Sequence, residues 1–472
     1  MRGHTERDDA SLSKFSVENY AGRAYDMLNK VFCDSRINIK LLSLEKLLFY
    51  FLIFSIPFQR RAIIYTFGTE FNEWNSAFLY FTDILIFGIF ALWLPRLRKT
   101  KIDLQFVDFI LLSFLVFSFL SFFTAKNQFL TIYQFLKLVE FICLFFYIKF
   151  NFNQLFDFKK ILQIFIASGL LQAVIAISQF FSQKSLGLYI FEESILGPQG
   201  AGVAKIDMSG FELLRSYGTF PHANPLAVFL SLSIFCLILL YALNGDKYNN
   251  FFAKLIFVVC SWFLVFALFL TFSRAIIILT IILFIAYFVK ARKKIIPILL
   301  LINIIVSFLM LYPELNSRFN PTTLVDSQAV NFRLFYNQIA LSMIKDSPFF
   351  GIGLGNYVWR MSEFNWNLDL VKGAFAKDGF GLWIYQPAHN IFLLIGSEIG
   401  LIGLAFFIIF LFLIFKNAFN KLLSLKSKIF YLSFILSFLS LFFIDHYLWT
   451  LQQGSLLLWV GLGIIYKSGT KT

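Results

Sequence analysis

The chain has 472 residues, of which 59% are hydrophobic and only 14% charged, whereas a soluble globular protein carries roughly 25% charged residues. With 66 Phe and a mean hydropathy of +0.75, it cannot supply the polar surface that about three soluble domains would need. The net charge of +14, from 41 basic and 27 acidic residues, would raise nucleic acid as a partner for a soluble protein. Here the basic residues sit between apolar runs, so the partner they imply is a lipid bilayer and no nucleic acid is expected.

Residues 1–40 are polar and mixed in charge, lack an apolar stretch or a cleavable signal, and read as a cytosolic tail. The membrane domain is expected over 41–472, where apolar runs of about 20 residues recur. They give twelve spans, at 42–58, 76–95, 106–124, 129–148, 161–182, 223–243, 252–271, 275–290, 295–312, 390–415, 429–447 and 454–466. The expected fold class is an all-α polytopic membrane protein with about 12 transmembrane helices. With the N-terminus inside, alternate connections carry Arg96, Arg98, Lys99 and Lys101, then Lys149, Lys159 and Lys160, then Lys247 and Lys254. Next come Lys290, Arg292, Lys293 and Lys294, and finally Lys416, Lys421, Lys426 and Lys428. The opposite short connections hold only Arg60 with Arg61, Lys126 and Arg274. This positive-inside bias predicts an even number of spans with both termini cytosolic.

Two connections are then external and long, 183–222 and 313–389. Within the second, NFRLFYNQIALSMIK from Asn331 to Lys345 has helical apolar spacing and predicts an amphipathic helix over the membrane domain. GIGLGNY, with Gly351, Gly353 and Gly355, predicts a tight turn. It is not a nucleotide fingerprint, because no strand precedes it. The four cysteines, Cys33, Cys143, Cys236 and Cys260, show no metal or redox spacing and read as small packing residues.

The polar residues that stand out lie at the external boundaries. RSYGTFPHANPLA begins at Arg215 and carries His222 and Asn224 into the sixth span; TFSRA places Arg274 at the turn between the seventh and eighth. QPAHN brings His389 and Asn390 to the point where the long loop re-enters the membrane, with Glu398 two turns inside. Such a set suits a lipid-linked diphosphate, since arginine offers bidentate donors at headgroup level and a histidine titrates in the range a general base needs. Each residue also has a plain reading: boundary arginines snorkel, and a histidine such as His222 caps or packs at a helix start. A carboxylate within a span, as at Glu398, is costly and is normally paired or functional. Lys137 and Glu140 read as a structural pair. His446, with Asp445 and Trp449, reads as interfacial anchoring. With no DxD, no HExxH and no clustered carboxylate–histidine set, neither a metal nor a cofactor is expected.

Four stretches, RSYGTFPHANPLA at 215–227, TFSRA at 271–275, NFRLFYNQIALSMIKDSPFFGIGLGNY at 331–357 and QPAHNIFLLIGSEIGLIGLAFF at 386–407, come in an order that resembles the O-antigen ligase and polymerase superfamily of bacterial envelope proteins. The resemblance implies a GT-C-like, lipid-linked glycosyltransferase at the outer face of the cytoplasmic (inner) membrane. It would take a glycan from an undecaprenyl-diphosphate carrier. A ligase passes it to a lipid A–core, protein, lipid or glycan acceptor, and a polymerase to another carrier-linked repeat. By the same resemblance Arg215, Arg274 and His389 would be the catalytic residues, with Arg333 a further candidate; apart from the resemblance, His222, Asn224, Asn390 and Glu398 are candidates, from their positions, for binding substrate or orienting the histidine. The chemistry implied is metal-independent and inverting. The GTFPHAN form leans toward the ligase. A solute transporter of the bicarbonate type is the alternative from another class; the crowding of polar residues at one face and the lack of related halves speak against it.

Overall fold

The computed structural model describes residues 35–468 apart from 69–70, 98–101, 198–199, 201, 209–210, 245–247, 249, 292–293, 320–323, 365–384 and 423–427. The tail expected over 1–40 therefore lies outside the described residues up to position 34, as do the loop charges Arg98, Lys99, Lys101, Lys247, Arg292, Lys293 and Lys426.

Helix α1 (Ser35–Ser55) leads into a hairpin of β1 (Arg61–Thr66) and β2 (Ser76–Tyr80), paired antiparallel with Arg61 opposite Tyr80. Then follow α2 (Phe81–Leu97), α3 (Phe106–Leu120), α4 (Gln128–Leu155) and α5 (Phe158–Ser182). A second small hairpin, β3 (Lys205–Asp207) with β4 (Glu212–Leu214), precedes α6 (Ala223–Asn244), α7 (Phe251–Leu270), α8 (Arg274–Lys290) and α9 (Ile295–Met310). The chain continues through α10 (Tyr312–Phe319), α11 (Leu324–Asp346), the single turn α12 (Tyr357–Arg360) and α13 (Ile391–Leu422). It ends with α14 (Lys428–Ile444), the single turn α15 (Tyr447–Thr450) and α16 (Gln452–Ser468). The protein is thus predominantly, though not wholly, α.

Helix starts follow local chemistry. The side chains of Asn127, Asp157 and Asn250 accept from the backbone N–H groups of Leu130 (3.0 Å), Lys159 (2.9 Å) and Ala253 (2.8 Å), satisfying donors that a helix leaves unpaired at its first turn. Apolar side chains then bury α3 against α13, α4 against α16, and α5 against α6 and α7. The Lys137–Glu140 pair forms at 2.8 Å and gains Asp83 at 2.6 Å, so one ammonium is shared by two carboxylates in the bundle.

The expectation of twelve spans is overturned. Among the described residues six helices are long and apolar enough to cross a membrane: Phe106–Thr124, Gln128–Leu155, Phe158–Ser182, Ala223–Asn244, Phe251–Leu270 and Ile391–Asn420. A seventh is counted only if Ile295–Met310 and Tyr312–Phe319, which meet at an 80° bend, are one span. The described residues also show no feature that identifies a GT-C fold, so that part of the expectation falls as well. For four of the expected spans the reason lies in length, whereas α1, with 21 residues, carries Lys40, Glu45 and Lys46 along its length. The run at 76–95 is divided between β2 and α2, and α2, α8, α14 and α16 have 17 residues each. At 1.5 Å per residue such a helix spans about 25 Å, short of a hydrocarbon core of about 30 Å. Apolar runs mark burial as readily as lipid exposure; the long apolar helices still make this a multi-pass membrane protein.

Candidate functional site

Arg215 follows β4, and its strand register is held by hydrogen bonds from Arg215 N to Ala204 O (3.1 Å) and from Ser216 N to Leu270 O (3.0 Å). Its Nε donates to Thr271 O (2.6 Å) and its Nη2 to Asn224 Oδ1 (2.8 Å). Asn224, in the first turn of α6, also accepts from Ser273 Oγ (3.1 Å), and its Nδ2 donates to Asp445 Oδ2 (3.5 Å). Asp445 Oδ1 in turn accepts from the backbone N–H of His446 (2.8 Å) and pairs with His389 Nδ1 (3.0 Å). A continuous polar chain, Arg215–Asn224–Asp445–His389, therefore ties together two stretches far apart in sequence and the turn after α14.

The TFSRA turn is itself constrained. Phe272 is fully buried with φ +46°, a conformation that costs a bulky L-residue roughly 1–2 kcal/mol. The carbonyls of Thr271 and Phe272 point to Arg215 and to Arg318 Nε (3.4 Å), so two guanidinium groups hold a strained turn from which Arg274 opens α8. Arg274 Nη1 donates to Arg318 O (3.4 Å).

These groups surround a cavity of about 550 Å³ whose lining includes Arg215, Arg274, Arg318, Arg333, His222, Asn224, His389 and Asp445. Four guanidinium groups face one carboxylate, which makes the space strongly attractive to an anion. Burial, reinforced by Arg215, lowers the pKa of His222 to about 3, so that ring is neutral; its Nδ1 accepts from Asn224 N (3.2 Å). Burial alone would raise Asp445, but His389, His446 and Arg333 outweigh it and hold the carboxyl well below the usual range. Burial likewise lowers His446 to about 3, and its Nδ1 bonds to Thr450 Oγ1 (2.7 Å). An ionised Asp445 can only accept, so the bond to His389 requires the proton on Nδ1; in the neutral ring Nε2 then carries the lone pair.

The structure brings Arg215, Arg274, Arg333, His222, Asn224 and His389 to one cavity. Asn390 and Glu398 have other work. Asn390 Oδ1 accepts from Phe392 N (3.0 Å) and Leu393 N (3.1 Å), which makes it the N-cap of α13. Glu398 is buried, accepts from the backbone of Tyr357 (3.4 Å) and Gly355 and from the Trp449 side chain, and so anchors the GIGLGNY turn. Asn390→Ala is accordingly expected to cost about 1 kcal/mol of stability and to leave turnover per folded molecule within about threefold, with Asn390→Ser restoring the loss; thermal melting beside a transfer assay checks this.

Two residues of the site were not singled out by sequence reasoning for it. Arg318 stood among unremarkable loop charges, and Asp445 looked like an interfacial anchor; it is 6% exposed and holds the histidine. The adjacent acidic and imidazole side chains at 445–446 were the only signal. The expectation that no carboxylate–histidine set exists is also corrected, since ligand atoms of His389, Asp445 and His446 lie within 4.8 Å of one another. The four arginines give the neighbouring cavity a field that disfavours a dication, so the cluster is suited to handling a proton.

No curated protein matches the chain. A family model described as O-Antigen ligase matches residues 259–408, the segment that supplies Arg274, Arg318, Arg333 and His389 to the cavity. The match covers that segment, in which three of the four ordered motifs lie, and supports the resemblance to the O-antigen ligase superfamily.

Proposed function

We propose that the protein transfers a glycan from an undecaprenyl-diphosphate carrier to an acceptor hydroxyl at the outer face of the cytoplasmic membrane, as a ligase. The observation that carries this reading is the four-arginine cavity with the His389–Asp445 pair in its wall. The arginines bind the diphosphate and stabilise the charge it gains on leaving. The acceptor oxygen attacks the anomeric carbon as the bond from that carbon to the diphosphate oxygen breaks, and the hydroxyl proton passes to His389 Nε2. Asp445 keeps the ring in the required tautomer and stabilises the imidazolium that forms. One displacement of this kind inverts the anomeric centre and calls for no metal.

The test is transfer by the purified protein in nanodiscs, with carrier-linked glycan extracted from the host, native acceptors and chelator present. Wild type is expected to move the glycan, and His389→Ala to lose at least a hundredfold in rate. A ladder built on the carrier itself would identify polymerase activity. An untouched carrier with verified folding and native acceptors would end the transferase reading.

A further inference from the structure

A second cavity, of about 80 Å³, lies beside the arginine-lined one and has a different chemistry. Its walls come from the first hairpin, α4, the GIGLGNY turn, the QPAHN stretch and the residues around α15. The two spaces are joined by a row of rings: Tyr336 to His389 at 5.6 Å between centroids, His389 to His446 at 4.9 Å, and His446 to Trp74 at 5.2 Å. Thr450 lines the second cavity and also bonds His446.

The charges of this cavity are already matched within the protein. Glu73 is paired with Arg61, whose Nη2 donates at 2.8 Å. Lys137 is shared between Asp83 and Glu140, and Glu398 accepts from the turn backbone and from Trp449. What remains is a mixture of uncharged donors and acceptors beside aromatic faces. The side-chain amide of Gln134 and the indole N–H of Trp74 make no hydrogen bond among the described residues, yet both line the space. Gln452 donates its Nε2 to Thr82 and Asp83 (2.9 and 2.5 Å), which leaves its Oε1 as an acceptor. Hydroxyl groups both donate and accept, and the C–H face of a sugar ring packs on an indole or phenol. The volume corresponds to about five to eight waters, enough for one sugar unit and too little for an oligosaccharide.

We infer that this second cavity is a subsite for one neutral sugar unit of the acceptor glycan, held by Gln134, Gln452 and the ring of Trp74. The inference rests on the transfer reading for its acceptor role. The two cavities then divide recognition by charge: the arginines take the diphosphate of the donor, and the uncharged cavity takes a neutral ring of the acceptor beside the histidine that receives the proton. Binding energy from such a remote unit orients the reacting hydroxyl.

The test has two readouts. Saturation-transfer NMR on the full-length protein in nanodiscs, with the methyl glycosides of glucose, galactose, mannose and N-acetylglucosamine as probes, reports binding without any reaction. At least one glycoside is expected to receive saturation from wild type, and Gln134→Leu to lose most of that signal. In the transfer assay Gln134→Leu is expected to raise the acceptor KM about tenfold and leave the donor KM unchanged, and Trp74→Phe to do so more mildly. No saturation of any probe by wild type, or an unchanged acceptor KM in both variants of a transferring enzyme, overturns the subsite alone. Probe binding that is lost in Gln134→Leu, in a wild type that transfers nothing, overturns the acceptor role together with the transferase reading while leaving the sugar contact in place.

Discussion

Asp445→Asn is expected to lower glycan transfer by about 10³- to 10⁴-fold in a protein that still folds. The substitution keeps size and shape, so the bond from the His446 backbone and the packing of the turn survive. What goes is the fixed negative charge 3.0 Å from His389 Nδ1. An amide can donate to Nδ1 as easily as accept from it, so the ring is free to put its proton on Nε2, where it cannot receive one from the acceptor. The imidazolium formed in the transition state also loses its counter-ion. Asp445 is held ionised, with His389 the leading cause, and an ionised carboxylate can only accept from Nδ1. Initial rates at saturating donor, with melting temperatures alongside, check the expectation; a variant within tenfold of wild type would remove Asp445 from the mechanism.

Gly351→Ala is expected to cost about 3 kcal/mol or more and to abolish activity through loss of fold. Gly351 has φ +70°, and a Cβ there would lie 2.3 Å from the carbonyl carbon of Glu398 and 2.4 Å from its oxygen. Backbone cannot step aside as a side chain can. The contact exists because α13 is broken at Gly400, which has φ +82°. The loop from 348 to 353 replaces the helical bonds lost there: Ile352 N donates to Ser397 O (2.9 Å), Gly353 N to Glu398 O (3.0 Å), and Leu401 N to Pro348 O (2.7 Å). An unpaired carbonyl in an apolar bundle is expensive, so the turn and the broken helix stand or fall together. Gly202→Ala is the control. Its φ is +73° with nothing within 4 Å of the added Cβ, so only the left-handed penalty of about 1–2 kcal/mol applies. Thermal unfolding in detergent should separate the two variants clearly; equal losses would show that the crowding at Gly351 is relieved in some other way.

The parts of this architecture that depend on local chemistry were legible in the sequence. The segment from Asn331 to Lys345 lies within α11, and Lys137 meets Glu140 because helical spacing puts them on one face. Arg215, Arg274 and His389 were visible because each stands where an apolar run begins or ends. Span number was not legible, since a 17-residue apolar helix and a span share a composition and differ in length and surroundings. Asp445 was hidden for a different reason: its partner is 56 residues away, and no local pattern encodes a contact between the N-cap region of α13 and the end of α14. Glu398 was correctly marked as a buried carboxylate needing partners, but those partners are backbone N–H groups of a turn, which carry no side-chain signature. Asn390 illustrates the converse, a residue beside the histidine whose side chain serves the helix it opens.

The measurement that bears most directly on the proposed mechanism is the anomeric configuration of the new glycosidic bond, read by NMR of the transferred product against the carrier-linked donor. A single displacement, with His389 taking the acceptor proton and the arginines holding the departing diphosphate, predicts inversion with one undecaprenyl diphosphate released for each glycan moved. Retention of configuration would require a covalent glycosyl-enzyme step and would contradict the account.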